Sequence, residues 1–232
     1  MAANPLACAT CPVRDRAACA ALDEEQRGDL TRLGFHRRLK RGEILFHAGD
    51  GSDHCATLIS GALKIAQVDA GGTEHILALV HPAGFVGELF APVAHHDVVA
   101  LTDSQLCVFP RRQYQEVVTR YPALGRALLR RSSEDLFESR ALMALMTGRT
   151  AGQRVAGFLL AMANAASESP CHPAQQFDLP VTRGEIASLL GLTIETVSRQ
   201  LTRLEKDRVP RRKGTRGIEL LDAARLGTLA AG

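Results

Sequence analysis

The sequence lacks the features that would place this protein in or across a membrane. No run of apolar residues approaches the roughly 20 that a membrane-spanning helix needs. The N-terminal segment MAANPLACAT has neither the charged stretch nor the apolar core of a secretory signal peptide. We therefore expect a cytoplasmic protein without a membrane partner.

The chain also has no tryptophan, no internal repeat and no low-complexity tract, and its formal net charge is only +3. So small a charge excludes a general polycation, and the basic residues are instead concentrated after Arg199. The length of 232 residues predicts one or two domains with apolar cores. Ala161–Gln176, rich in Ala, Ser and Pro, is the one stretch that resembles a linker.

Six cysteines are distributed unevenly along the chain. In a cytoplasmic protein they are not expected to form disulfides. The Cys8-x2-Cys11 spacing is shared by many zinc sites, and Cys107, in an apolar segment, has the ordinary interpretation of a small buried side chain. We expect Cys55, assigned to a turn, and Cys171, in the predicted linker, to bind nothing.

The pattern of apolar residues and glycines changes along the chain. From Phe35 to Pro110, short apolar runs alternate with glycines, a pattern typical of a β-sandwich or jelly roll. A helix is predicted at Arg111–Arg120, ending before Pro122. Ala123–Met146 is a long amphipathic run that packs either on its own barrel or against a second copy, and we expect a homodimer. The expected divisions are an arm at 1–22, a sensor domain at 23–120, a dimerisation helix at 121–147 and a C-terminal domain at 148–232.

Val181–Asp207 predicts two helices joined by a tight turn. Thr182 and Glu185 have the spacing of a capping box at the start of the first helix. Gly191 is suited to end that helix, and Thr193 to cap the second. A helix, a glycine turn and a second helix form the helix-turn-helix pattern, whose second helix enters the major groove of DNA.

The polar face of the second helix carries side chains that can read bases. Glu195, Ser198 and Arg199 are three and four residues apart, so they project on one side. A glutamate accepts a hydrogen bond from cytosine, an arginine donates two to guanine, and a serine reaches a base or a phosphate. The alternative is a surface helix with a Glu195–Arg199 ion pair. The basic segment that follows, RRKGTRGIELLD, predicts a hairpin wing that touches phosphates.

Taken together, these elements resemble the bacterial CRP/FNR transcription regulators over essentially the whole chain. The resemblance implies an α+β fold: an N-terminal β-roll (jelly roll) like a cyclic-nucleotide-binding domain, a long dimerisation helix and a C-terminal winged helix-turn-helix. It implies a transcription activator, not an enzyme, that binds double-stranded DNA and works with RNA polymerase. Glu195, Ser198 and Arg199 match the E-x-x-S-R triplet of the FNR branch, which implies TTGAT-type half-sites in an inverted repeat. The expected DNA contacts are Thr193, Glu195, Ser198, Arg199, Arg203, Arg212 and Lys213.

A second resemblance concerns the cysteines. FNR proteins hold a [4Fe–4S] cluster with three N-terminal cysteines and one at the end of the β-roll. Cys8, Cys11, Cys19 and Cys107 match these positions, although the x7 gap before Cys19 is longer than the x5 of some members. The resemblance thus implies oxygen sensing. Zinc or no metal at these cysteines, with nitric oxide, redox state or a cyclic nucleotide as the signal, remains the alternative.

Two further functions are disfavoured by the sequence. A thiol-redox enzyme would place Cys8-x-x-Cys11 after a strand of a βαβ unit, and here it lies in a terminal arm. A cyclic nucleotide is not expected either: Gly87-Glu88-Leu89 is present, but residues 91–104 contain no arginine to pair with the phosphate. His95 and His96 are interpreted as a surface pair. Finally, Ala141–Met146 carries no charge that would repel a second copy, so two alternatives stay open: the cluster controls association of the dimer, or the dimer persists without it and the cluster only sets the placement of the helix-turn-helix.

Overall fold

A computed structural model describes the backbone of residues 4–5 and all of residues 8–167, 169 and 171–232. The chain forms two compact units, Met1–Phe137 and Glu138–Gly232. Part of the predicted arm (residues 1–3, 6 and 7) and two residues of the predicted linker (168 and 170) lie outside the described residues.

The N-terminal arm of the first unit contains more local structure than its sequence indicates. A short strand, β1 (Asn4–Pro5), is followed by single 3-10 turns at Cys8–Thr10 and Ala18–Ala21. Helix α1 (Glu24–Leu33) begins next. Asp23 caps it, because the Asp23 carboxylate accepts a hydrogen bond from the backbone N–H of Gln26 at 2.9 Å.

The centre of the first unit is an antiparallel β-roll made of two facing sheets. The five-stranded sheet has the order β1-β2-β9-β4-β7, and the four-stranded sheet has the order β3-β8-β5-β6. Both sheets contribute buried side chains to one core, as the sequence predicts for a jelly roll. The strands are β2 (Phe35–Leu39), β3 (Ile44–Phe46), β4 (His54–Ser60), β5 (Leu63–Val68), β6 (Glu74–Val80), β7 (Phe85–Val86), β8 (Asp97–Ala100) and β9 (Ser104–Pro110).

Strands β4 and β9 are buried on both faces. Leu58 and Leu106 point into the core between the two sheets. The alternate positions, which include Cys55 and Cys107, belong to a second core outside the sandwich. The prediction that Cys55 lies in a turn is therefore wrong: it is in β4, pairs with Phe109 and is 0% exposed. A strand that is buried on both faces lacks the alternation of polar and apolar residues by which a strand is recognised in a sequence.

Two helices follow the roll, α2 (Arg111–Arg120) and α3 (Pro122–Met146), close to the predicted bounds. The first turns of α3 bury Leu124 and Leu128 in the second core, together with residues of α1 and α2. Further along, α3 leaves large apolar side chains exposed, of which Phe137 is 73% exposed. No helix of the described part is long and apolar enough to cross a membrane.

The second unit is a small α+β domain. Its central helix α4 starts with a capping box between Thr150 and Gln153. This helix runs to Ala165, and a strand begins at Gln176, so only the middle of the predicted Ala161–Gln176 linker lies between elements. The elements are α4 (Ala151–Ala165), β10 (Gln176–Asp178), α5 (Arg183–Leu190), α6 (Ile194–Lys206), β11 (Pro210–Lys213), β12 (Gly217–Leu220) and α7 (Ala223–Ala231). The three strands form one antiparallel sheet in the order β10-β12-β11.

Gly87 offers a test of how tightly the roll packs around Cys55. Its φ is +100°, and an added Cβ would lie 2.8 Å from the Cα of Cys55. We expect Gly87→Ala to lower the free energy of unfolding by roughly 3 kcal/mol, because backbone strain and steric overlap add. Gly72 also has a positive φ, of +80°, but no atom lies within 4 Å of its added Cβ. Gly72→Ala should therefore cost only about 1 kcal/mol. Urea denaturation followed by circular dichroism measures both, and equal losses would contradict the packing argument.

Candidate functional site

The helix-turn-helix is formed by α5 and α6, and its local geometry follows the predicted signals. The hydroxyl of Thr182 accepts from the N–H of Glu185 at 3.2 Å, and the carboxylate of Glu185 accepts from the N–H of Thr182 at 2.6 Å. Gly191 is left-handed, with φ 60° and ψ 43°. Thr193 caps α6 by accepting from the N–H of Thr196 at 3.3 Å. The predicted capping box, turn and second cap are confirmed.

Helix α6 has a buried apolar face and an exposed polar face. Val197, Leu201 and Leu204 are buried against the rest of the second unit. On the other face, Glu195 and Arg199 are exposed. Arg199 donates to the hydroxyl of Thr196 at 3.3 Å and, within the described part of the chain, forms no ion pair with Glu195. The surface ion pair that was the alternative to base reading is thus not observed there.

Two neighbours adjust the chemistry of this polar face. The backbone N–H of Glu195 and then the hydroxyl of Thr193 lower the pKa of the Glu195 carboxyl, so it is ionised and only accepts hydrogen bonds. Arg183, at the start of α5, donates to the hydroxyl of Ser198 at 3.4 Å. Arg183 was not among the predicted DNA contacts, and the sequence offers no signal for it because the contact joins two helices.

The wing is the hairpin of β11 and β12, as predicted, but its basic side chains have carboxylate partners. Arg212 forms two contacts with the carboxylate of Glu205 on α6, at 2.7 and 2.6 Å. Lys213 lies 3.3 Å from Glu219 on β12. The sequence did not predict these pairings, and by its own pairing Arg212 joins the wing to α6. DNA contact by Arg212 and Lys213 stays a prediction.

A cavity lies between the arm and the β-roll of the first unit, and the four predicted cysteine ligands line it. Cys8 and Cys19 are carried by the two 3-10 turns, and Cys11 follows the first turn. Cys107 comes from the middle of the five-stranded sheet, on the face that points away from the sandwich. The structure thus brings together four thiols that are widely separated in sequence.

Helix α1 holds the arm in place beside this cavity. The guanidinium of Arg27 donates to the carbonyls of Cys19 at 3.1 Å and of Ala20 at 3.4 Å. One helical turn later, the hydroxyl of Thr31 donates to the sulfur of Cys8 at 3.2 Å. These two residues line one side of α1. Neither residue was predicted to contact the arm, although their i, i+4 spacing was a usable signal.

Burial and proximity both shift the ionisation of the thiols. Burial raises the pKa of Cys107, and the neighbouring thiols of Cys11, Cys8 and Cys19 raise it further. Burial is also the largest cause that raises the pKa of Cys19. The neighbouring thiols of Cys11 and Cys8 raise it further, and the charge of Arg27 lowers it. Four thiolates in this cavity would repel each other strongly without a cation.

The other cysteines and the histidine pair are placed apart from this cavity. Burial raises the pKa of Cys55 to about 12, and Cys171 is exposed. The ring of His95 forms an ion-pair contact with Glu88. Among the residues that the structure describes, no three or more His, Cys, Asp and Glu side chains are arranged to hold a single metal ion.

Two family models match the chain. The one described as a Crp-like helix-turn-helix domain matches residues 153–229, and the one described as a cyclic nucleotide-binding domain matches residues 36–121. The first contains the whole helix-turn-helix and wing, and the second contains strands β3 to β9 of the β-roll and α2.

Curated proteins and solved structures are similar to the chain over most of its length. The transcriptional activator protein FnrL of Cereibacter sphaeroides is 34% identical, with 94% of this chain and 90% of the relative covered. The transcriptional activator protein Anr of Pseudomonas aeruginosa is 33% identical, with 84% and 80% covered. The structure of FixK2 from Bradyrhizobium japonicum matches with a TM-score of 0.77 at 25% identity, covering 86% of this chain and 98% of that one.

The placement of the cysteines predicts how fast each thiol reacts in reduced, metal-free protein. We expect iodoacetamide to modify exposed Cys171 first and buried Cys55 last, because alkylation needs an accessible thiolate. Cys107 should react nearly as slowly as Cys55. Peptide mass spectrometry at successive times measures the order, and rapid labelling of Cys107 would contradict its placement in the sheet.

Proposed function

The chain belongs to the CRP/FNR family of transcription regulators, and we propose that it is an oxygen-responsive activator that holds a [4Fe–4S] cluster. It is a DNA-binding regulator of a non-enzymatic family. The observation that carries the proposal is the cavity lined by Cys8, Cys11, Cys19 and Cys107. These four residues are the proposed ligands.

The donor set of the cavity suits an iron–sulfur cluster. Four cysteine thiolates are the ligands that a [4Fe–4S] cluster takes, each on a different iron. Such thiolates need not meet at one point, whereas the four ligands of a zinc ion all lie about 2.0–2.3 Å from the same centre. A bound cluster supplies positively charged iron to offset the thiolate repulsion, and its chemistry is sensitive to oxygen.

Residues of the chain relate the order of the arm to the long helix. Arg27 and Thr31 bond to the arm segments that carry Cys19 and Cys8. From the same helix, the carboxylate of Asp29 accepts a hydrogen bond from the hydroxyl of Tyr121, directly before α3, at 2.5 Å. An arm held to the β-roll by its three ligands together with Cys107 therefore favours one placement of α1 against α3, and loss of these ligands shifts the population away from that placement.

We propose that the exposed face of α6 reads an inverted repeat of TTGAT half-sites. Arg199 donates to guanine, Glu195 accepts from the cytosine of the complementary strand, and Ser198 lies near the thymines. The apolar side chains exposed on α3 support a homodimer, which would place two α6 helices about 34 Å apart. RNA polymerase is the expected protein partner, in the cytoplasm.

The cluster is tested by iron and acid-labile sulfide analysis of protein prepared without oxygen. We expect about four of each per chain and broad absorbance near 400 nm. Cys107→Ala should remove most of both, since one ligand is lost, and leave the fold intact. Cys171→Ala, at an exposed cysteine outside the cavity, is the matched control and should change neither. A colourless protein that contains one zinc would refute the proposal.

The base-reading assignment is tested with two arginines on α6, four residues apart. Arg199→Ala should weaken binding to the repeat by roughly 1–3 kcal/mol and relax the preference at one base pair, as the loss of a guanine contact does. We assign Arg203, which is exposed on α6, to a phosphate, so Arg203→Ala should weaken binding to all sequences about equally and reduce the salt slope by about 1. Fluorescence anisotropy with matched and substituted DNA at several salt concentrations measures both.

Arg203 serves better here than Arg212, whose removal would also free the wing from Glu205. Identical behaviour of the two variants, with equal losses on every DNA sequence, would show that Arg199 does not read a base.

A further inference from the structure

Tyr114 on α2 is a fully buried side chain that lines the cavity of the four cysteines. Its ring packs against Phe85 and Phe109, with ring centroids 5.6 and 5.0 Å away. Only 2% of the residue is exposed. The position is thus fixed by aromatic packing on the side of the ring that faces the β-roll.

The hydroxyl of Tyr114 has no hydrogen-bond partner among the residues that the structure describes. A buried tyrosine hydroxyl normally has one, because an unsatisfied buried polar group is costly. The hydroxyl of Thr57, the other one on the cavity wall, likewise has no hydrogen bond among the described residues, whereas Arg27 bonds to two carbonyls. The hydroxyl of Tyr114 is not among the fully enclosed polar atoms that lack a partner, so it borders the cavity and can donate to a group held there.

Four thiols share the wall of the cavity with this side chain: Cys8, Cys11, Cys19 and Cys107 line it together with Tyr114. Cys55 and Tyr114 also belong to the same buried core. A phenol has an ordinary pKa of about 10, so at neutral pH it carries a proton that it can donate.

We propose that Tyr114 donates a hydrogen bond to a sulfur atom of the iron–sulfur centre held by Cys8, Cys11, Cys19 and Cys107. This inference rests on the proposed function. Hydrogen bonds to the sulfurs are one of the means by which proteins set the potential of such a centre. A donor stabilises the more electron-rich form, so the Tyr114 hydroxyl would slow oxidation of the centre and set how much oxygen the protein tolerates.

Tyr114→Phe tests this by removing the hydroxyl alone and keeping the packed ring. The chain has only two tyrosines, and the other supplies a matched control. Tyr121→Phe removes a hydroxyl that donates to Asp29 and that does not line the cavity. Both variants and the wild type are loaded without oxygen, and their iron and sulfide are measured first.

The first readout is the half-time for loss of absorbance near 400 nm in air-saturated buffer. Tyr114→Phe should shorten it by roughly three- to tenfold, the factor that corresponds to one ordinary hydrogen bond. Its reduction potential should move to a more negative value. Tyr121→Phe, whose hydroxyl does not line the cavity, should keep the wild-type potential. Its half-time can change only through loosening of α1, so the potential is the readout that separates the two variants.

The second readout is the urea midpoint of the metal-free proteins. Here Tyr121→Phe, and not Tyr114→Phe, is expected to fall below the wild type. Tyr114→Phe should leave the midpoint unchanged or raise it, because the hydroxyl bonds to no described residue. Tyr121→Phe should lower it, since the bond to Asp29 is lost. If the Tyr114 hydroxyl only stabilised the fold, Tyr114→Phe would lower the urea midpoint of the metal-free protein as well.

Each other outcome overturns a defined part of the argument. A loaded Tyr114→Phe protein with the wild-type half-time and potential overturns the hydrogen bond and leaves the cluster proposal standing. A lowered urea midpoint for metal-free Tyr114→Phe overturns it too, because the hydroxyl would then have a protein partner. A wild type that holds no iron overturns both proposals.

Discussion

The architecture of the first unit depends on the meeting of one immobile thiol with three thiols from the arm. Cys107 lies in β9, which is hydrogen-bonded to β2 on one side and to β4 on the other, so it cannot move without breaking the sheet. The arm must therefore approach the sheet. It does so through Val13 and Ala17, which pack on Ala83, and through its bonds to α1. These few contacts hold a segment that would otherwise bury little apolar surface, and additional binding at the thiols would stabilise it further.

In the DNA-binding unit, by contrast, the helix-turn-helix and the wing are held by contacts between residues that are close in the chain. Capping boxes at Thr150 and Thr182 set the starts of α4 and α5, and left-handed Gly191 sets the turn. The bidentate contact between Arg212 and Glu205 then fixes the wing against α6. A rigid helix-turn-helix presents the exposed side chains of its second helix with little loss of entropy on binding. Regulation is thus better placed in the arm than in the reading surface.

The same contrast explains what the sequence could predict. The start of α5, the glycine turn, the cap of α6 and the wing hairpin depend on residues close in the chain, and these were predicted, whereas the capping box at Thr150 was not. The grouping of Cys107 with the arm came from a family resemblance, since spacing alone cannot join residues so far apart.

Cys55 was misplaced because its strand is buried on both faces and shows no alternation. Tyr114 escaped notice because the polar residues around it, RRQYQEVV, suggest an exposed helix, and its burial is decided by Phe85 and Phe109. Glu205 and Glu219 were missed for a related reason: pairing across a wing is set by tertiary structure.

One route of direct contact leads from the arm to the start of α3 within the first unit. It passes through α1, whose Arg27 bonds to the arm and whose Asp29 accepts a hydrogen bond from Tyr121, directly before α3. The arm also packs on Ala83 through Val13 and Ala17. A rigid helix that is contacted at one end can be tilted by a small displacement at that end. Disorder of the arm would release this contact, so the response of α3 need not depend on separating two copies of the chain.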